Sequence, residues 1–593
     1  MCDRTPVAAG TTSKFGNWFH RALIVATLLT CAVAVSPNQA DPDLWGHVQY
    51  GRDAIAEGLP FTTTYSYTAQ GYRWINHENL AELLLATGID TIGPIGMLIA
   101  KCMLGVGIIS LMMIYALRRG AALLTVCVVA LLVAVNLSYF WSLRPHILSC
   151  AYYTLMLALL SWCFSGWEGR CQWPWLENRN KAGADELRYS SRHMRFLWLG
   201  VPLFFLWANT HGGFVAGYCI YIAYLGLRGC EAWVRNRRAS FGLLRRLVMM
   251  AGAAGLATLV NPYGPRLHLW LFESLRVPRP EIVEWHAPDL TSTIMVPLWL
   301  IMFSWFSVLL LTQRSRDLTH LIIMTLTLFQ ALSHVRHIPF FAIPFGFWMA
   351  PHVDSVLKRF RVTSHTSSFG ADMSPILQRA FVSVLCLAFG LLGYKLFDRL
   401  SDMPVDRDEY PVAAFQYIAD QDLRGRMVVT YNWAQYAIAV FGPKRVDEQG
   451  IRVSFDGRFR TCYPQEVVDM NFDFVLGHLE PRYRGPDSPP FDDERVLEYG
   501  QPDLVLVNRK QPHSINVLFH NTQSWALLYQ DQIVQLWGRR SKYDHPSSPD
   551  YLDPTARLIS EQVQEGSVTW PALPSDRVST QLASFSRPSP SSN

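Results

Sequence analysis

Three carboxylates and two histidines fall close together near the amino end of the chain. The stretch Asp41-Pro42-Asp43-Leu44-Trp45-Gly46-His47 leads through Gly51, Gly58-Leu59-Pro60 and Tyr65-Ser66-Tyr67-Thr68 to Trp74-Ile75-Asn76-His77-Glu78. It directly follows an apolar run, Ala22 to Val35, with Arg4, Lys14 and Arg21 ahead of it. Acids beside hydrocarbon lose hydration, so such residues are kept for function more often than by chance. A helix beginning at Pro42, with Asp41 as its cap, puts Asp43 and His47 four residues apart on one face. A carboxylate with a histidine beside it can take a proton from a hydroxyl, and Asp41 with Asp43 can hold a divalent cation such as Mg or Mn. By residue type alone, Asp41 is equally well read as a plain helix cap.

Four further polar groups interrupt apolar sequence. They are Trp141-Ser142-Leu143-Arg144-Pro145-His146, Trp207-Ala208-Asn209-Thr210-His211-Gly212-Gly213, Glu284-Trp285-His286 and His334-Val335-Arg336-His337. A guanidinium fork matches phosphate oxygens bidentately, so Arg144 and Arg336, with His146 and His337, are candidates for an anionic head group. The plainer reading is that both arginines snorkel from helix ends. Asn76, His77, Glu78, Asn209, His211 and Glu284 are further site candidates. For Asn209 to Gly213, a broken-helix turn in which glycine allows close packing is as good a reading as ligand contact.

The elements that must position these groups are membrane helices. Of 593 residues, half are apolar and only 17% charged, which excludes an ordinary soluble enzyme. Apolar runs suggest about eleven crossings, near 22–37, 93–117, 121–137, 146–164, 196–209, 211–228, 247–260, 293–312, 318–334, 338–350 and 380–397. The first run is expected to stay as an uncleaved anchor. Basic loops carrying Arg118-Arg119, Arg188, Arg237-Arg238, Arg314 and Lys358 to Arg361 place one face in the cytoplasm with the N-terminus. The polar apices and everything after residue 400 then lie outside. Leu80 to Ile89 is apolar but too short for a span, and reads as interfacial or re-entrant. The net charge of +5 lies mainly in these loops and reports topology rather than nucleic-acid binding. The eleven cysteines show no paired spacing, so neither a zinc site nor a disulfide framework is expected.

Residues 401–540 read as a soluble α/β domain, with buried strands at Arg426 to Thr430 and Pro502 to Asn508 and a helix from Pro411. No glycine-rich phosphate loop occurs there. Residues 541–593 form a Ser/Pro-rich tail expected to be largely disordered.

The acidic stretch after the first span resembles the first external loop of membrane glycosyltransferases of the GT-C fold, the superfamily of protein mannosyltransferases and oligosaccharyltransferases. The resemblance is densest over 41–82 and covers roughly residues 20–400. It implies a helical membrane domain over 1–400, with external loop 38–79, and an external domain after it. It also implies transfer of a sugar from a polyprenyl-phosphate donor to a glycan, lipid or protein acceptor, in the cytoplasmic (inner) membrane. Asp43 would be base or metal ligand, with Asp41 its helper. Gly46 departs from the pattern, since many relatives carry a second aromatic there, and no clear second acidic metal motif is present. The alternatives are a transporter or lipid-linked glycan flippase, which also has broken helices with polar apices, and a non-catalytic scaffold. No internal repeat favours the transporter.

Overall fold

A computed structural model describes residues 14–167, 170–171, 191–235, 240–360, 375–442, 450–479 and 482–575. Arg188, Arg237, Arg238 and Arg361 lie outside the described residues.

Helices occupy every segment expected to cross: Lys14–Ala34, Asn79–Arg118, Leu123–Ser138, His146–Cys163, Gly200–Thr210, Phe214–Arg235, Phe241–Ala257, Val296–Leu311, Leu318–Ser333, Ile338–Trp348 and Pro375–Ser401. By length and composition, four described helices can cross a membrane: Asn79–Arg118, His146–Cys163, Thr293–Leu311 and Arg379–Ser401. Leu123–Ser138, Gly200–Thr210, Phe241–Ala257, Leu318–Ser333 and Ile338–Trp348 fall short of the roughly 20 residues of an ordinary span. The polar groups at 141–146, 207–213 and 334–337 each lie at a turn that joins two consecutive helices. Helix Pro265–Arg276 and short 3-10 turns at Val283–Trp285 and Val335–His337 lie between spans.

Leu80 to Ile89, expected as an interfacial or re-entrant piece, forms the first arm of Asn79–Arg118, set off from the second arm by a kink. Gly93 breaks that helix with φ 71°, a value glycine reaches without a Cβ clash, and Pro94 follows. Helix Leu44–Glu57, formed by the acidic stretch, packs on this first arm. They approach closely at Gly51, where a Cβ would fall 2.2 Å from the Glu82 carbonyl oxygen. That helix starts at Leu44 rather than Pro42, with Asp43 at its N-cap.

The C-terminal region holds a six-stranded sheet in the order Ile451–Val453, Gly425–Val429, Leu504–Asn508, Val534–Arg539, Trp525–Gln530, Leu558–Ile559. The first three strands are parallel, and near-continuous apolar burial over Met427–Val429 and Leu504–Val507 fits strands covered on both faces. The external loop extends the sheet edge: Tyr67 N donates to Val453 O and Val453 N to Tyr65 O, both at 3.2 Å. The carboxyl ends of Gly425–Val429 and Ile451–Val453 therefore meet the acidic stretch, the end of a parallel sheet where ligands are usually bound.

Part of the tail, 541–575, is placed against the fold. Strand Ser567–Thr569 pairs with Pro404–Asp406, and Trp570 is buried beside Trp45, whose indole donates to Pro571 O at 2.9 Å. Residues 576–593 lie outside the described residues.

Candidate active site

The turn before helix Leu44–Glu57 sets the first carboxylates. Asp41 Oδ1 accepts the Asp43 amide at 3.0 Å, whereas the Asp43 carboxylate makes no capping bond and points away from its own helix end. It meets Arg144, which comes from the tight turn between helices Leu123–Ser138 and His146–Cys163. Arg144 Nε lies 2.5 Å from Asp41 Oδ1, Nη2 3.2 Å from Asp43 Oδ2 and Nη1 3.1 Å from Glu284 Oε1. Three carboxylates from two distant segments thus converge on one guanidinium. Burial, opposed chiefly by Arg144 and reinforced by Asp41, raises the Asp43 carboxyl to about 6. A carboxylate poised near working pH suits a general base.

Glu284 reaches this centre because its 3-10 turn is clamped on the Arg336 apex. Val335 N donates to His286 O at 2.9 Å, and His334 Nδ1 lies 2.7 Å from Trp285 O. Two guanidinium groups lie over the Trp285 ring, Arg336 at 4.6 Å and Arg279 at 4.5 Å from its centre. Burial and the neighbouring charges of Arg460 and Arg336 push Arg279 down to about 10. Arg460, from the sheet region, keeps Nη1 and Nη2 buried without a hydrogen-bond partner. Arg336 makes no ion pair among the described residues. It feels Glu284 and Glu78 only at longer range, while burial holds its guanidinium below the usual value. Three guanidinium groups with this little compensation have the chemistry to pair with an anion.

Behind Asp43 lies a second titratable group. His47 Nδ1 sits 3.3 Å from Glu82 Oε1, Asn76 Nδ2 donates to Glu82 Oε2 at 2.6 Å, and Asn76 Oδ1 accepts the Glu78 amide at 3.0 Å. Burial lowers His47, but its bond to Glu82 and the charges of Glu78, Glu82 and Asp43 outweigh this and raise it to about 9. Burial raises Glu78, but the charges of His77, His47, His211 and Arg336 hold it at about 2. His211 approaches Glu78 Oε1 through Nε2 at 3.5 Å. Its Nδ1 accepts the Gly213 amide at 3.0 Å, which places the ring proton on Nε2, facing Glu78. Ser149 Oγ, 2.8 Å from Nδ1, itself accepts Trp207 Nε1 at 2.7 Å, so the ring is fixed from behind. His47, Glu78 and Glu82 offer ligand atoms within 4.8 Å of one another, an arrangement compatible with a divalent cation.

The sheet region closes the other side. Gln435 lies on helix Tyr431–Phe441, which leaves the end of strand Gly425–Val429, and is 2% exposed with Oε1 unpartnered. A Cβ at Gly46 would fall 2.4 Å from that oxygen, so Gln435 fills the space a second aromatic would take. A Cβ at Gly457 would fall 2.6 Å from Asp43 Oδ1 and 2.7 Å from Gln435 Nε2, so a side chain here would displace one or both of them. Arg458 rivets the halves together. It pairs with Asp456 at 2.7 Å, bonds Thr63 at 3.0 Å, and lies 4.5–5.1 Å from the ring centres of Tyr50, Tyr65 and Trp74.

This helical core with external loop and trailing sheet matches solved structures. The Archaeoglobus fulgidus oligosaccharyltransferase in its apo form superposes over 84% of this chain and 70% of its own, at 13% identity and TM-score 0.50. The oligosaccharyltransferase AglB from the same organism, in complex with an inhibitory peptide and a dolichol-phosphate, matches over the same shares at 13% identity and TM-score 0.51. The fold is GT-C, that of an integral membrane protein. ArnT from Cupriavidus metallidurans, bound to undecaprenyl phosphate, is also similar, over 88% of this chain and 98% of its own, at 12% identity and TM-score 0.46. Neither a protein-family model nor a curated protein sequence matches the chain.

Within the GT-C fold, Asp41, Asp43, Arg144 and Glu284 come together, and His47, Asn76, His77, Glu78 and His211 form the group beside them. Arg144, expected at a phosphate, is instead held by carboxylates. His47 pairs with Glu82 rather than Asp43. His146 bonds the Phe140 carbonyl, and His337 lies edge-on to Trp285 at 6.3 Å. Asn209 is drawn away, its amide donating to Phe205 O and Val260 O at 2.8 Å. Glu82, Arg279, Arg460 and Gln435 were not singled out in the sequence. Glu82 lies in an apolar segment, and the others acquire meaning only from neighbours distant in sequence.

Proposed function

We propose that the protein is a membrane glycosyltransferase that moves a hexose or pentose from a polyprenyl-phosphate carrier to an acceptor outside the cytoplasm. In this reading Asp43 takes the proton of the acceptor hydroxyl as its oxygen attacks the anomeric carbon. The bond from that carbon to the phosphate oxygen breaks on the opposite side, inverting configuration, and the polyprenyl phosphate leaves as an anion. Arg336, with Arg279 and Arg460, receives that anion. Arg144 fixes Asp41, Asp43 and Glu284 relative to one another. His47 and Glu78, held by Glu82 and His211, set the field behind Asp43. Residues 1–400 serve as the membrane domain with eleven crossings, 401–540 as an external domain that completes the cleft, and the membrane is the cytoplasmic one with the N-terminus inside.

The observation that carries this reading is the meeting of a carboxyl raised to about 6 with guanidinium groups that lack carboxylate partners, Asp43 and Arg336 both interacting with Glu78 and Arg144. Mass spectrometry of lipid co-purified with the intact protein should find a polyprenyl-phosphate sugar, and a deletion strain should lose one glycan product. An unchanged glycan profile with no sugar-bearing lipid bound would overturn the proposal.

A further inference from the structure

The Asp41-x-Asp43 pair would be expected to hold a divalent cation, and its surroundings test that expectation. Three carboxylates do converge as they would on a metal. Their common centre, however, is the Arg144 guanidinium, with Asp41, Asp43 and Glu284 each on a different nitrogen. Divalent ions sit about 2.0–2.6 Å from carboxylate oxygens, so an ion shared by these three could enter only by expelling the guanidinium. Arg144 is poorly placed to leave. Its backbone is set in a tight turn, with its amide donating to Ser142 O at 2.9 Å and Pro145 opening the next helix. Its charge is permanent, because a guanidinium does not deprotonate in proteins. Swinging it out would place two cations side by side, or strand one of them away from its counter-charges.

We propose that Arg144 is the resident cation of this centre, so that Asp41, Asp43 and Glu284 bind no divalent metal. The inference rests on the reading of Asp43 as the base and deepens it. A divalent ion bound to Asp43 would lower its basicity more than a single guanidinium edge does, leaving a weaker base for the acceptor proton. The guanidinium supplies the electrostatic anchor and fixes three segments in register. The neighbouring group of His47, Glu78 and Glu82 stays compatible with a cation, so any test must separate the two.

Mn²⁺ supplies that test, by electron paramagnetic resonance on the full-length protein in detergent. All variants carry Glu82→Gln to remove the neighbouring group. With Arg144 present, the expectation is no Mn²⁺ binding that depends on Asp43. Adding Arg144→Ala should create one site, tighter by about tenfold or more, which Asp43→Asn then removes. A Mn²⁺ site lost on Asp43→Asn while Arg144 is intact would overturn the proposal, even if the alanine variant failed to fold. So would an Arg144→Ala protein of normal melting temperature that gains no site. No sugar donor enters the measurement, so its failure is distinct from failure of the transferase reading.

Discussion

Two arginines ringed by acids sit at opposite ends of the helical core, and they differ in a way that separates structure from chemistry. Arg228 lies on Phe214–Arg235, roughly 21 Å along that helix from the His211 apex. It is 1% exposed, pairs with Asp317 at 2.7 Å and Glu231 at 3.0 Å, and lies over Tyr224 at 5.1 Å. Asp317 also caps helix Leu318–Ser333 by accepting from Thr319 and His320. His320 stacks on Trp348 at 4.1 Å. Most polar groups there have a structural duty, and the cluster is closed. Arg144 is 24% exposed and carries three acids, of which Asp43 is 29% and Glu284 41% exposed. Neither Asp43 nor Glu284 caps a helix with its side chain. Acids outnumber the arginine in both clusters, but only around Arg144 are some of them partly exposed and free of capping duty, which is what a reaction can use.

The largest effect should come from Asp43→Asn. Removing a general base costs about 10²–10⁴ in rate, so sugar transfer from a polyprenyl-phosphate donor should fall that far while expression and melting temperature hold. The wild-type profile should sharpen the point. A base raised to about 6 works only when deprotonated, so kcat/KM should rise with pH through about 6. It should fall again near 9 as His47 loses its charge. An acid limb unchanged in position by Asp43→Glu would place the base elsewhere.

Arg228→Met should act in the opposite sense. Breaking a buried pair leaves uncompensated charge and costs about 3–5 kcal/mol, read as a lower melting temperature, with transfer per folded molecule preserved. Lost transfer at unchanged stability would erase the distinction between the two clusters.

Arg336→Ala comes next, weakening donor use about ten- to hundredfold, the loss of one charge-assisted contact of about 1.5–3 kcal/mol. Lysine should restore part of it, keeping charge without the planar fork. Donor dependence identical in all three proteins would return Arg336 to a snorkelling helix end.

The smallest effect tests the seam between loop and sheet. Gly46→Ala puts a Cβ against the Gln435 amide and should cost about 1–3 kcal/mol of stability by overpacking. Gln435→Ala should relieve most of that, and a double-mutant cycle with no coupling would show that the two do not meet.

The helices were legible because apolar length is a local property, and so was the acidic loop, because charge beside a span is conspicuous in any sequence. Leu80 to Ile89 was legible as an apolar piece too short for a span, and the break at Gly93 sets it off from the longer arm that follows. In the tail, Ser and Pro predict disorder on average, yet Trp570 packs on Trp45, which itself meets Tyr410 and Tyr436, a setting no local signal describes.

By itself the sequence pointed to a chain built on membrane helices and marked Asp41, Asp43, Arg144, Glu284 and Arg336 as candidates for chemistry. Only the tertiary structure decided their pairing. Arg144 was free to meet a phosphate or an acid until the turn at 142–145 and the clamp of Trp285 on the Arg336 apex brought Glu284 to it. The reason is physical: a membrane span is specified by transfer energies that sum along the chain, whereas an ion pair depends on distances between residues up to 140 positions apart, which only packing sets.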